Sequence, residues 1–243
     1  MRDIEQLQAF LRASAASGRE LVRVGPFQAF FDPDDDMKYL SYAVPDDGTS
    51  PTREDIEALR SAFRERDRLP RLEWVEEAAP GVVDALAAAA MQQELATPLM
   101  ACARDELRIP DVDVEIAPAS AADALDVRNM QRVAFGQPPV DSVSAETSER
   151  TLVGRVGGVI ATAGSWSEVI GGVSEVAGIA TAEPFRRRGL AGALTAAAAQ
   201  AAFEEGAKLC VLSPGDETAM RVYERAGFSR VATMLHWSDD ASP

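Results

Sequence analysis

VSEVAGIATAEPFRRRGLAGALTAAAAQAAFEEG, residues 173–206, divides into three parts with different backbone demands. VSEVAGIAT (173–181) is apolar and β-branched, the pattern of a buried strand. AEPFRRRG (182–189) carries a proline, three arginines and a glycine, the composition of a turn. From Leu190 to Glu205 an alanine-rich run predicts a helix, and Gly206 stands where a helix stop belongs. A strand that enters a basic turn and then opens a helix makes a site for phosphate. The first helical N–H groups have no intrahelical partner, and the peptide dipoles add about half a positive charge there. Gly189 lets a ligand approach the backbone, and Ala191 leaves room beside it.

The next stretch, CVLSPGDETAMRVYERAGFSRV (210–231), reads as strand, helix and strand. Together the two stretches resemble a known family. RRRGLA (186–191) fits the pattern Arg/Gln-x-x-Gly-x-Gly/Ala, and residues 173–206 are similar to the coenzyme A pyrophosphate loop of GNAT-type N-acetyltransferases. Ala219, Tyr223, Gly227 and Phe228 fill recurring places in that family's following helix and strand. The resemblance covers about residues 112–237 and is most specific over 173–230.

It implies an α/β (α+β) fold with a mixed, mostly antiparallel central sheet flanked by helices, and acetyl-CoA as co-substrate. Arg186, Arg187, Arg188, Gly189, Leu190 and Ala191 would then hold the pyrophosphate, with backbone amides doing most of the binding. Ile179, Ala180 and Thr181 would hold the pantetheine arm as an added strand does, with a neighbouring N–H facing the oxyanion. Tyr223 would be the acid that protonates the departing thiolate. Asp216 stands where the family often has asparagine. When ionised it accepts hydrogen bonds and cannot donate, which leaves it a good helix N-cap.

Acyl transfer to an amine also calls for a base, because an amine of pKa about 10.4 is mostly protonated at neutral pH. Glu175 is the candidate, an acid within an otherwise apolar strand where an unpaired carboxylate is costly. Solvent or a structural arginine accounts for it equally well. His236 is the only histidine, so no histidine cluster for a metal exists. Cys102 and Cys210 show no metal or redox spacing and read as small buried hydrophobes.

The chain carries 39 acidic and 24 basic residues, a net charge of −15. Residues 106–243 alone hold 19 acidic and 12 basic, so both halves are acidic. Phosphate backbones require basic patches, which excludes nucleic acid as a major partner. The N-terminus lacks an apolar signal core, and no apolar run reaches the roughly 18 residues of a membrane span. A cytoplasmic protein with no membrane partner is expected, and a homodimer is compatible with the sequence.

Taken in order, residues 3–16 predict a helix, 21–32 and 37–45 strands joined by the acidic turn 32–36, and 53–66 a helix with Ile56, Leu59 and Phe63 on one face. Strand 71–78, helix 80–91 and strand 94–102 follow, then a linker at 105–111. Strand 112–118, helix 121–135 and a polar connection at 136–150, a surface loop or substrate lid, lead to a hairpin at 151–166.

Leu72 and Met91 align with Leu209 and Phe228 at a constant shift of 137, so the helix at 53–66 stands where 190–205 stands. Its preceding turn, PDDGTSPT (45–52), has two aspartates and no arginine. Two domains are therefore expected: residues 1–106, a degenerate GNAT-like copy without a coenzyme site, and 107–243, the acetyltransferase domain.

The expected activity is transfer of an acetyl group from acetyl-CoA to a primary amine, on a small molecule or a peptide, by direct attack in a ternary complex. The alternative is an acyl-CoA-binding regulatory or interaction module without catalysis. A different acyl group, such as propionyl or succinyl, also stays open.

Overall fold

The computed structural model describes residues 4–33, 40–143 and 149–239. Two compact units emerge: residues 1–99 with 231–243, and residues 100–230. The first unit thus takes in most of the last strand, and residues 100–106 lie with the second. Pairing explains this, as described below.

In the first unit, α1 (Ile4–Ala15) is followed by β1 (Glu20–Val24) and β2 (Phe27–Phe31). The sequence predicts one strand over 21–32; instead Gly25, at φ +52°, and Pro26 turn it into an antiparallel hairpin. β3 (Tyr42–Pro45) pairs antiparallel with β2 and parallel with β4 (Arg71–Val75). The turn at 34–36 and the start of the expected strand at 37–39 lie outside the described residues.

Between β3 and β4 runs α2 (Arg53–Arg64), with Ile56, Leu59 and Phe63 fully buried as their spacing predicts. They join Phe27, Phe30, Leu72, Trp74 and residues of α3 (Gly81–Ala88) in one core. After α3 comes β5 (Gln92–Ala103).

In the second unit, β6 (Glu115–Pro118), α4 (Ala124–Ala134), β7 (Thr151–Val156) and β8 (Val159–Trp166) precede β9 (Val173–Thr181). Then come α5 (Leu190–Glu204), β10 (Leu209–Leu212) and α6 (Glu217–Arg225); β11 (Ser229–Ser238) follows and from Val231 on belongs to the first unit. Strand order in this unit is β5-β10-β9-β8-β7-β6, in which β9 and β10 are the parallel neighbours. The fold is thus α/β with mostly antiparallel pairing and flanking helices, as the sequence predicts. α5 covers one sheet face with Leu194, Ala198, Ala199, Ala202 and Phe203. On the other face Val127 of α4 packs with Val153 and Ala163.

Two pairs of elements keep the spacing of 137 expected from the sequence. α2 and α5 start 137 residues apart (53 and 190), as do β5 and β11 (92 and 229). Each copy's closing strand pairs outside its own series. β11 joins the first unit antiparallel to β4, Met234 opposite Val75. Met100–Ala103 of β5 join the second unit antiparallel to β10. That pairing sets Cys102 directly opposite Cys210, a neighbour relation the sequence does not show. No helix among the described residues is long and apolar enough to cross a membrane.

Candidate active site

β9 and β10 pair only from Val173–Leu209 to Glu175–Val211. Beyond Glu175, β9 runs on for six residues without a β10 partner, while β10 ends at Leu212. The backbone of Val176–Thr181 on that side is therefore left for another group to pair with, an edge that unpaired peptide groups make receptive.

Within the same segment β9 carries a bulge. The register with β8 passes from Ala163–Ala180 to Ser165–Ala177, so Gly164 faces both Gly178 and Ile179. Gly178 sits at φ +65°, a conformation glycine adopts without steric cost. One extra residue reverses the in–out alternation. Val176 and Ile179 thus both face α5, while Glu175, Ala177 and Ala180 share the α4 face. A glycine inside a strand is the usual sequence signal of such a bulge, and Gly178 is that signal here.

The turn after β9 is held by its own arginines. Arg186 Nε donates to Thr181 O at 3.2 Å, and Arg188 donates to Pro184 O at 3.3 Å while its guanidinium lies 5.3 Å from the Phe185 ring centroid. Arg187 has φ +63°, a strained value for a non-glycine residue. All three arginines are exposed. Gly189 is the α5 N-cap at φ +82° and provides no side-chain cap. Ala193 makes the first helical bond, to Gly189 O at 3.1 Å. The N–H groups of Leu190, Ala191 and Gly192 precede it, which is the geometry of an anion site.

The expected linker at 105–111 packs on this helix start and so belongs to the second unit. Arg108 N–H donates to Ala226 O at 3.0 Å, and Leu107 packs into the core under α5. A Cβ on Gly192 would stand 3.5 Å from Pro110, and one on Gly189 would stand 3.0 Å from Val112.

Tyr223, on α6, packs against the same core that Ile179 borders, its ring 6.4 Å from that of Phe228. Burial, and secondly the negative charge of Asp216, push its phenol above the ordinary value, so it holds its proton at neutral pH. Asp216 is the α6 N-cap, its Oδ1 accepting Ala219 N–H at 2.7 Å.

Glu175 is half-buried, and its main chain is tied to Ser167: Ser167 Oγ accepts the Glu175 N–H at 2.9 Å, and Glu175 O accepts Ser167 N–H at 2.8 Å. Cys102 and Cys210 are fully buried. Burial, then Cys102, push the Cys210 thiol up to about 12, so it is not a nucleophile at neutral pH.

On the α4 side, Asn129 and Val140 exchange two hydrogen bonds, of 3.0 and 2.8 Å, and Arg132 Nε donates to Pro138 O at 2.6 Å. These bonds fix the start of the 136–150 connection; residues 144–148, within the expected lid, lie outside the described residues. Gln131 Nε2 donates to Gly178 O at 2.9 Å, a contact absent from the sequence reading.

Residues 119–228 match the acetyltransferase (GNAT) family. A GCN5-related N-acetyltransferase from Kribbella flavida is 29% identical, with a TM-score of 0.85, over 100% of this chain and 97% of its own. A putative GNAT-family acetyltransferase from Novosphingobium aromaticivorans shares the fold at 19% identity and a TM-score of 0.56, over 97% and 96%. So does a tandem GNAT protein from the clavulanic acid biosynthesis pathway, at 13% identity and 0.58, over 89% and 79%. No curated protein matches the chain. The turn, the bulged strand and the parting of β9 from β10 all fall inside residues 119–228, the stretch that is similar to the acetyltransferase (GNAT) family.

Proposed function

We propose that the second unit transfers an acetyl group from acetyl-CoA to a primary amine. One observation carries this reading. β9 leaves its β10 partner after Glu175 and runs into a helix start whose N-cap, Gly189, has no side chain to occupy the first-turn donors. The residues fit the coenzyme there. Backbone amides of 189–191 and the exposed Arg186–Arg188 turn suit a pyrophosphate. The unpaired edge of Ile179–Thr181 suits an amide-bearing arm that adds like a strand.

Acetyl-CoA supplies an activated thioester. The chain supplies the rest. Tyr223 holds a proton that a leaving thiolate can take. Glu175, on the α4 face with Ala177 and Ala180, takes a proton from the acceptor's ammonium, which leaves the free amine to attack the thioester carbonyl. Peptide N–H groups at the bulge await the negative charge that develops on the carbonyl oxygen. Both cysteines are buried, and the Cys210 thiol keeps its proton at neutral pH, which favours direct attack by the amine.

The first unit binds no coenzyme in this reading. At its matching helix start, Thr52 and Asp55 form a capping box, and Asp46 and Asp47 are paired with Arg23 and Arg12. The test is release of free thiol from acetyl-CoA across a panel of amines, with calorimetry of acetyl-CoA alone. Thiol release above the hydrolytic background supports acyl transfer. Binding without thiol release with any amine favours an acyl-CoA-binding module instead.

A further inference from the structure

Val127 of α4 is buried toward the sheet, and Gln131 follows it by one helical turn on the same face. An apolar residue would continue that stripe. The amide instead crosses to the sheet and donates to the Gly178 carbonyl at 2.9 Å. A Cβ at Gly178 would come within 2.5 Å of Gln131 Nε2, so the amide fills the space that a side chain on the bulge would need. Opposite, Ile179 Cδ1 lies over Gly164, which also has no room for a Cβ. The bulge is thus braced from both faces.

The peptide between Gly178 and Ile179 is trans, so its N–H points opposite to its carbonyl. With the carbonyl held toward α4, the Ile179 N–H is turned away from α4. It lies outside the β8 register and past the point where β10 pairing stops. A glycine at positive φ leaves this peptide free to rotate unless something holds it.

We propose that Gln131 is a positioning residue that clamps the Gly178–Ile179 peptide so that the Ile179 N–H is presented to the thioester carbonyl oxygen. Losing the clamp lets the peptide rotate and places a carbonyl where a donor is needed. Removing one preorganised donor costs roughly a hundredfold or more in turnover, and loosening one costs about tenfold or more. The inference rests on the coenzyme reading given under the proposed function.

The test uses the full chain with Gln131→Met and Gln131→Glu, both close in shape and neither able to donate this bond when ionised or apolar. Acetyl-CoA labelled with 13C at the carbonyl is bound, and its carbonyl stretch is read by difference infrared spectroscopy, with no acceptor needed. Wild type is expected to lower the stretch relative to free acetyl-CoA. Both variants should return it toward the free value, bind acetyl-CoA within about threefold of wild type, and lose about tenfold or more in turnover with the best amine.

A variant stretch and turnover equal to wild type would overturn the clamp while leaving coenzyme binding intact. A wild type that binds no acetyl-CoA would overturn both. Loss of coenzyme affinity together with a lowered melting temperature in both variants would also overturn the clamp, because it marks a merely structural glutamine.

Discussion

Thr52 and Gly189 hold the same N-cap place 137 residues apart, at the starts of α2 and α5. Thr52 spends its hydroxyl oxygen on Asp55 N–H at 3.2 Å, and Asp55 Oδ2 accepts Thr52 N–H at 2.8 Å. Gly189 has no side chain to do the same. One helix start is satisfied from within, and the other presents its donors outward. Titration with acetyl-CoA should therefore give one site per chain. Thr52→Ala should lower stability by about 1 kcal/mol and leave coenzyme affinity unchanged. Two sites by calorimetry would contradict this.

Gly189→Val should abolish coenzyme binding while circular dichroism shows an intact fold. The position lies at φ +82°, and an added Cβ would stand 3.0 Å from Val112. A β-branched residue there costs on the order of 1–3 kcal/mol and also obstructs the anion's approach. Acetyl-CoA affinity equal to wild type would remove the turn from the binding site.

Tyr223→Phe should lower turnover by about a hundredfold with little change in coenzyme affinity. Burial raises the phenol, so the proton-bearing form persists at least to the ordinary tyrosine value of about 10. Any alkaline limb that Tyr223 imposes on turnover should then lie above about pH 10, and the substitution should erase it. Glu175→Gln is the companion test: loss of the acidic limb identifies the base, and an unchanged limb assigns deprotonation to water.

Glu73 on β4 offers a stability test away from the site. Burial pushes its carboxyl up, but His236 and Arg71 overcome that and hold it below the ordinary value. A depressed carboxylate contributes stability above its unfolded pKa of about 4.3 and loses it as pH falls through the folded value. Glu73→Gln should flatten the acid limb of thermal stability below about pH 4. At pH 7 it should cost about 3 kcal/mol, because Arg71, whose side chain is only 4% exposed, loses a buried partner.

Residues 107–243 expressed alone should not fold cooperatively. They lack Met100–Ala103, which pair with Leu212–Leu209 of β10. They also lack β4, the partner of β11 from Met234 to Ser238. A sharp thermal transition in this fragment would show that the borrowed strand is dispensable.

The phosphate turn and its helix could be read from sequence because their chemistry is local: Gly189, the arginines and the alanine run act within a few residues of one another. The spacing of Ile56, Leu59 and Phe63 was legible for the same reason. The exchange of closing strands was not. β11 and β5 each pair with a strand more than a hundred residues away in the chain, and no local pattern announces such a partner. Cys102 and Cys210 become opposite partners through that choice. The hairpin at Gly25-Pro26 was hidden because apolar residues flank the turn on both sides. Gln131 was hidden because a glutamine on a helix shows neither its direction nor its distant acceptor.

The borrowed strands also set a timetable for synthesis. β4 is made early, yet its antiparallel neighbour, β11, is complete only when residue 238 has been added. At about 5–20 residues per second, that leaves the open edge of β4 waiting roughly 8–30 seconds on the ribosome. Such an edge invites pairing with any strand nearby, including another nascent copy. Arg71, Glu73 and the later-arriving His236 converge along this edge. Arg71 and Glu73 pair with each other within β4, and His236 of β11 completes the cluster. β11 thus closes the edge by adding His236 beside an ion pair that β4 already holds.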